Sequence, residues 1–156
     1  MKKVLTITLV SLMTLSLVGC GCSKKNEIDN SNVNINEFPD IKGNENVTVS
    51  DDGTKVNNSS DFSTTKKYNS YEITNAKIST STEGRTTFTA TVKNTSSEEI
   101  AGTLVNIILV DKKGNKVSKL ATYIKALKSG ETMDLNAGID KDLSNAYNYY
   151  FDVYEQ

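Results

Sequence analysis

The two cysteines are the only thiols in this chain, and their position limits the chemistry they can perform. Cys20 and Cys22 both follow an apolar N-terminal stretch, so the later part of the chain can hold neither an internal disulfide nor a thiolate zinc site. Histidine is absent, which removes the commonest general base and the commonest metal ligand together. We therefore predict no enzymatic activity, no catalytic residue, no metal site and no cofactor.

The remaining side chains that could do chemistry are carboxylates near the C-terminus. Asp140 and Asp142 are close enough in sequence to share a calcium ion with backbone carbonyls. Asp-x-Asp before a strand is also typical of a solvated turn, and we favour that interpretation. A Ser–Lys pair or a carboxylate pair would be the other route to catalysis, and no spacing indicates either.

Tyrosines near the C-terminus are the best candidates for recognition. From Tyr147 to Tyr154 the chain alternates as a strand does, so one set of residues must face the core. The more apolar set is predicted to face inward: Tyr147, Tyr149, Phe151 and Val153. Tyr150 and Tyr154 are then on the outer face beside Asp152, where their rings can stack on a sugar or fill a pocket in a protein. The alternative is that these rings only cover an edge or a neighbouring strand.

The N-terminal segment has the dimensions of a signal peptide. Lys2 and Lys3 precede an apolar stretch from Val4 to Val18. As a helix that stretch reaches about 22 Å, short of the roughly 30 Å hydrocarbon core of a bilayer. A cleaved leader over residues 1–19 is therefore favoured over a permanent transmembrane helix.

The end of this leader, Leu17-Val18-Gly19-Cys20, resembles a bacterial lipobox. The resemblance implies that Cys20 receives a diacylglyceryl group and becomes the N-terminus after cleavage. Two acyl chains give stable anchoring where one does not, so the predicted partner is the membrane and the predicted location is its extracytoplasmic face. The alternative is ordinary secretion, with Cys20 and Cys22 free or paired.

The charge of the chain argues against nucleic acid as a partner. The chain has 18 lysines and arginines against 19 acidic residues, and loss of Lys2 and Lys3 with the leader leaves 16. The remaining lysines are scattered rather than gathered into a patch that could neutralise phosphates.

Residues 20–66 are predicted to form a lipidated N-terminus and a flexible linker. The segment is rich in Asn, Ser, Asp and Thr, and it cannot bury enough apolar surface to offset chain entropy. Alternation on both sides of Asp52-Gly53 indicates a possible hairpin over 47–56. An isolated hairpin is marginal in water, so it should be mostly disordered unless it docks on the domain.

Residues 67–156 are predicted to form an all-β domain, an immunoglobulin- or fibronectin-like antiparallel sandwich. Six strands are indicated by alternation and by turn residues between them. A break in alternation near Asn75 suggests a bulge in the first strand. The predicted strands are Tyr71 to Ile78, Arg85 to Asn94, Ile100 to Asp111, Val117 to Ile124, Thr132 to Ile139 and Tyr147 to Tyr154.

Three blocks of this domain resemble FxLYD-type domains of Gram-positive lipoproteins. The blocks are Thr91 to Ser96, Ile107 to Asp111 with Gly114, and Leu127 to Thr132. Ile107 and Val110 stand where the name-giving Phe and Tyr would be, whereas Leu109 and Asp111 match. The resemblance implies a sandwich without catalytic residues. Turn residues and core runs alone would also account for the blocks.

Two functions follow from these expectations. The domain is predicted to be a non-catalytic module that binds an unknown envelope protein or glycan, and the alternative is an accessory structural or spacer subunit. An exposed aromatic or apolar patch would favour binding, whereas a uniformly polar surface would favour the spacer.

Overall fold

The computed structural model describes residues 43–155, and the predicted leader, Cys20 and the linker up to residue 42 lie outside them. Nine strands and one short helix occur in this part of the chain. Their bounds are β1 (Val47–Val49), β2 (Lys55–Asn57), α1 (Ser60–Ser63), β3 (Lys66–Tyr68), β4 (Tyr71–Thr80), β5 (Thr86–Asn94), β6 (Thr103–Val110), β7 (Lys116–Ile124), β8 (Thr132–Ile139) and β9 (Asn148–Val153).

The strands form two antiparallel sheets that enclose one core. The larger sheet has six strands in the order β1-β2-β4-β5-β8, with β3 also paired to β4. The smaller sheet has three strands in the order β7-β6-β9. Buried apolar residues from both sheets form a single cluster between them. The predicted all-β antiparallel sandwich is therefore confirmed.

The longest hairpin, β4–β5, follows the predicted alternation. Phe88, Ala90 and Val92 of β5 are buried in the core, whereas Thr89 between them is exposed. Strand β4 is irregular where alternation broke, because Asn75 has φ of 54° and the register with β5 shifts between Thr74 and Lys77. The predicted bulge is thus present.

Strand β6 lies in the centre of the small sheet, and this position explains why its sequence is almost continuously apolar. Val105, Ile107 and Leu109 face the core, and Ile108 and Val110 are buried on the opposite face. β7 lies on one side of β6 and β9 on the other, so flanking side chains cover that second face.

The predicted boundary between linker and domain at residues 66 and 67 is wrong. Strand β2 pairs with β4 from Lys55 opposite Thr80 to Asn57 opposite Ile78, so the hairpin docks on the larger sheet. Helix α1 places Phe62 in the core, with 1% of its surface exposed. A polar average composition concealed these few contacts, because one aromatic ring and an open strand edge are enough to hold a short segment.

Candidate functional site: the outer face of the small sheet

The residues of β9 that are buried in the core show which of its tyrosines face outward. Tyr149 and Phe151 are buried, and the ring of Phe88 meets Tyr149 edge-to-face at a centroid distance of 5.0 Å. Phe62 stacks on the same tyrosine at 5.5 Å. Burial raises the pKa of Tyr149 to about 12. With these rings fixed inward, the pleat turns Tyr150 to the outer face.

The inward set that the sequence predicted is correct only at its centre. Tyr147 is half-buried, because it precedes β9 and its amide donates to the carbonyl of Val110. The Lys112 ammonium lies 5.7 Å from the centroid of the Tyr147 ring. Val153 is 63% exposed, since it ends the strand. Alternation therefore assigns these two residues wrongly at the strand ends, where the facing sheet no longer covers them.

Tyr150 and Tyr154 are both exposed, at 39% and 37% of their surface. Tyr150 lies in the pleat opposite Ile108 of β6, which settles its face. Tyr154 follows the last residue of β9, so its exposure comes from leaving the sheet rather than from alternation. Whether the two tyrosines bind anything stays a prediction.

Two further exposed residues on the outer face were missed by sequence reasoning. Leu104 and Tyr123 are 46% and 55% exposed and lie opposite each other on β6 and β7. The ring of Tyr123 can lie close to the backbone because Gly102 has no side chain: a Cβ there would clash with the tyrosine hydroxyl. Strict alternation puts Leu104 on the opposite face from Val105, and so on the outside. The unbroken apolar run concealed which residues face the core and which face outward.

A buried amide lies between these exposed side chains. Asn106 occupies the outer face of β6, opposite Asp152 on one side and Ala121 on the other. Its Nδ2 donates to the carbonyl of Val153 at 2.8 Å. Its Oδ1 has no hydrogen-bond partner among the described residues. An unpaired buried acceptor costs about 1–3 kcal/mol, so the small sheet carries an unsatisfied polar atom within its most apolar surface.

Asp140 and Asp142, for which a solvated turn is favoured over a calcium site, take part in separate ion pairs. Asp140 pairs with Arg85, whereas Oδ2 of Asp142 accepts from Lys55 Nζ at 2.5 Å. Burial works to raise the pKa of Asp142, but the bonds from Lys55 and Ser144 outweigh it and leave the pKa below the usual 3.8. Among residues 43–155 no group of three or more Cys, Asp or Glu side chains is placed to hold a metal.

Two cavities open near the ends of β9. The larger, of about 510 Å³, is lined by Ser59, Lys112 and Tyr147 among others, and its lining is mostly polar. The smaller, of about 330 Å³, lies at the opposite end beside Tyr68, Leu104 and Val153. The smaller cavity is therefore continuous with the exposed apolar residues of the outer face.

The part of the chain that the structure describes contains no helix with the length and apolar character needed to span a membrane.

Comparison with known proteins gives a distant structural likeness. No protein-family model and no curated protein matches the chain, so the resemblance to FxLYD-type domains stays a prediction. The chain is similar to the crystal structure of a DUF1425 family member from Shewanella sp. pv-4, with 13% identity and a TM-score of 0.37. That match covers 70% of this chain and 95% of the other.

Proposed function

We propose that this protein is a membrane-anchored extracytoplasmic lipoprotein whose sandwich is a non-catalytic module that binds a protein or glycan of the cell envelope. One observation carries the proposal: four large side chains with apolar surface stand exposed on or beside the outer face of the small sheet. They are Leu104, Tyr123, Tyr150 and Tyr154. Large exposed side chains grouped in this way mark interaction surfaces, whereas single ones are ordinary.

The chemistry of this face suits recognition rather than catalysis. Tyrosines carry flat apolar rings with a polar tip, and they are enriched at the centres of interfaces. Histidine is absent from the whole chain, which leaves this face without the usual general base.

The anchor is the second part of the proposal. A diacylglyceryl group on Cys20 would hold the protein at the membrane, and the residues between Cys20 and Gly43 would serve as its tether. A tethered module meets its partner at high local concentration, so modest affinity is enough for capture.

The test compares partner capture by the wild type and by a variant that carries Tyr150→Ala and Tyr154→Ala. Both proteins are crosslinked in cells, purified from the membrane and analysed by mass spectrometry. Recovery of the main wild-type partner should fall at least about tenfold, which corresponds to 1.4 kcal/mol of binding. The unfolding midpoint should hardly change, because both rings are exposed.

Val49→Ala is the matched control, because Val49 is 65% exposed on β1, in the other sheet. It should leave capture unchanged. Equal capture by the double variant would favour the spacer function, and a large loss of stability would show that the two rings are structural.

A further inference from the structure

Lys66 is a lysine on the inner face of the larger sheet. It lies directly opposite Ile73 where β3 pairs with β4, and residues directly opposite each other share one face of a sheet. Ile73 is fully buried in the core. The next residue, Lys67, is exposed on the other face. The Lys66 side chain therefore extends from the core side of the sheet, whereas that of Lys67 extends into solvent.

The surroundings of Lys66 favour the neutral amine over the ammonium ion. Its Nζ lies 4.6 Å from the centroid of the Tyr149 ring, and no carboxylate in the described part of the chain forms an ion pair with it. Burial lowers the pKa of Lys66 below the usual 10.5, and the charge of Asp61 opposes this shift only in part. A larger fraction of this amine is therefore neutral and nucleophilic than in an exposed lysine.

The partner of Lys66 is the side-chain amide of Asn148, at the start of β9 in the small sheet. Lys66 Nζ donates to Asn148 Oδ1 at 2.5 Å, although the two residues are 82 positions apart. Because Oδ1 is bonded to Cγ, Nζ lies at most about 3.7 Å from Cγ. That distance is close to the separation at which a nucleophile attacks a carbonyl carbon.

A backbone amide also holds the Asn148 side chain in position. The N–H of Tyr149 donates to the same Oδ1 at 2.8 Å. A donor on the carbonyl oxygen draws electron density from Cγ, and it can stabilise the negative charge that develops on this oxygen during attack. The Asn148 carboxamide is thus both fixed and polarised beside the Lys66 amine.

We propose that Lys66 and Asn148 become joined by an isopeptide bond once the domain has folded. The neutral amine attacks Cγ, so the Nζ–Cγ bond forms and the Cγ–Nδ2 bond breaks. Nδ2 leaves as ammonia and takes with it the proton that Nζ gives up. One amide replaces another, so the reaction requires no oxidant, reductant or other reactant.

The bond would link the two sheets at the edge where β3 and β9 meet. Cys20 precedes Lys66 in the chain, whereas Tyr150 and Tyr154 follow Asn148. Tension between the membrane anchor and a captured partner would therefore pass through the bond and bypass residues 67–147. This mechanical role rests on the proposed function, but the bond itself does not.

Peptide mapping of the full-length protein tests for the bond. The protein is purified from the membrane, denatured, digested with trypsin and analysed by tandem mass spectrometry. We expect a branched peptide that joins the segment of Lys66 to that of Asn148, with a mass about 17 Da below the sum of the two because ammonia is lost. Trypsin should not cleave after the modified Lys66. Loss of ammonia from asparagine alone gives the same mass change but does not join the peptides.

Three variants assign the bond to its residues. Lys66→Gln and Asn148→Ala should each abolish the branched peptide, whereas the matched control Lys67→Gln should retain it. On a denaturing gel the wild type and Lys67→Gln should migrate faster than the other two, because their chain stays closed between residues 66 and 148. A hydrogen bond alone would not survive denaturation.

Recovery of the Lys66 and Asn148 peptides from the wild type only in unlinked form would overturn the inference. A branched peptide that persists in Lys66→Gln would also overturn it. The wild-type peptide map decides the question even if a variant fails to fold. It does not depend on partner capture, so it tests the bond separately from the proposed function.

Discussion

Asn57 joins the N-terminal hairpin to the loop before β9. Its Nδ2 donates to the carbonyls of Ser144 and Ala146, both at 2.7 Å, and its Oδ1 accepts from the amide of Ser59 at 2.9 Å. Each of these three bonds satisfies a buried backbone group that cannot bond to water. One polar side chain therefore satisfies two segments far apart in sequence.

Replacement of this amide tests its contribution. Asn57→Ala should lower the free energy of unfolding by about 2–3 kcal/mol, because the Ser144 carbonyl and the Ser59 amide lose their partner. The Ala146 carbonyl keeps its bond from Asn44 Nδ2. Urea unfolding followed by circular dichroism measures the change. Asn58→Ala is the control, since Asn58 is exposed and its side-chain amide donates to the hydroxyl of Thr48. Equal effects of the two substitutions would contradict this role for Asn57.

The ion pair between Lys55 and Asp142 predicts how stability depends on pH. The folded-state pKa of Asp142 lies below its usual 3.8, so its contribution is present above that value and is lost as the pH falls through the lower, folded pKa. The stability difference between wild type and Asp142→Asn should therefore be full at about pH 6 and should shrink as the pH falls below the usual pKa of 3.8.

Denaturant unfolding across this pH range provides the measurement. Lys55→Gln should remove much of the same pH-dependent difference, because Lys55 is the cation that Asp142 accepts from. A difference that persists unchanged at low pH would show that Asp142 acts through its bonds to Ser144 rather than through charge.

Short elements depend on single anchors in this fold. Helix α1 has four residues, too few for stability of its own, and Ser59 caps it by accepting from the amide of Asp61. Its position is instead determined by Phe62, which is buried against Tyr149. The helix closes the side of the sandwich where the small sheet ends.

Phe62→Ala should consequently destabilise the protein by about 3–5 kcal/mol, through lost burial and the cavity left behind. The same denaturation experiment gives the value. Val49→Ala, at an exposed apolar site, should change stability by less than about 0.5 kcal/mol. A small effect at Phe62 would mean that α1 can leave the core without cost.

The start of the domain gives a second prediction for these elements. A chain that begins at Gly43 should unfold cooperatively and with a higher midpoint than one that begins at Lys66, because the shorter chain loses β2, Asn57 and Phe62. The boundary at residue 66 predicts the opposite, that the shorter chain is fully stable. Thermal unfolding of both proteins decides between the two, and equal midpoints would restore that boundary.

At the scale of the whole molecule the anchor is the central prediction. Cys20→Ser should shift the protein from the membrane fraction to the soluble or uncleaved-precursor pool, because acyl transfer requires the thiol. Fractionation and immunoblotting follow the shift, and globomycin should block processing of the wild type. Cys22→Ser is the control and should stay at the membrane. A cleaved, membrane-bound Cys20→Ser protein would disprove the lipoprotein proposal.

Patterns within single segments determined much of the fold. The six strands predicted from Tyr71 onward correspond to β4 to β9, with ends that agree to within three residues. Their alternation arises within each strand, since successive side chains point to opposite faces. The turns at Gly84, Gly114 and Gly130 all have positive φ, which glycine adopts without strain. Such signals are local, and a sequence displays them directly.

Tertiary structure alone decided the features that depend on distant contacts. Strands β1, β2 and β3 have three residues each; β2 and β3 pair with β4, and β1 pairs with β2. Alternation around Asp52-Gly53 indicates a possible hairpin, but only the pairing of β2 with β4 shows that it docks on the domain. Strand pairing alone likewise places Leu104 of β6 opposite Tyr123 of β7, and Tyr150 of β9 opposite Ile108, on one outer face. The alternation of a long strand indicates which of its faces is buried. A sheet edge or a surface patch, in contrast, forms only when segments distant in sequence pack together.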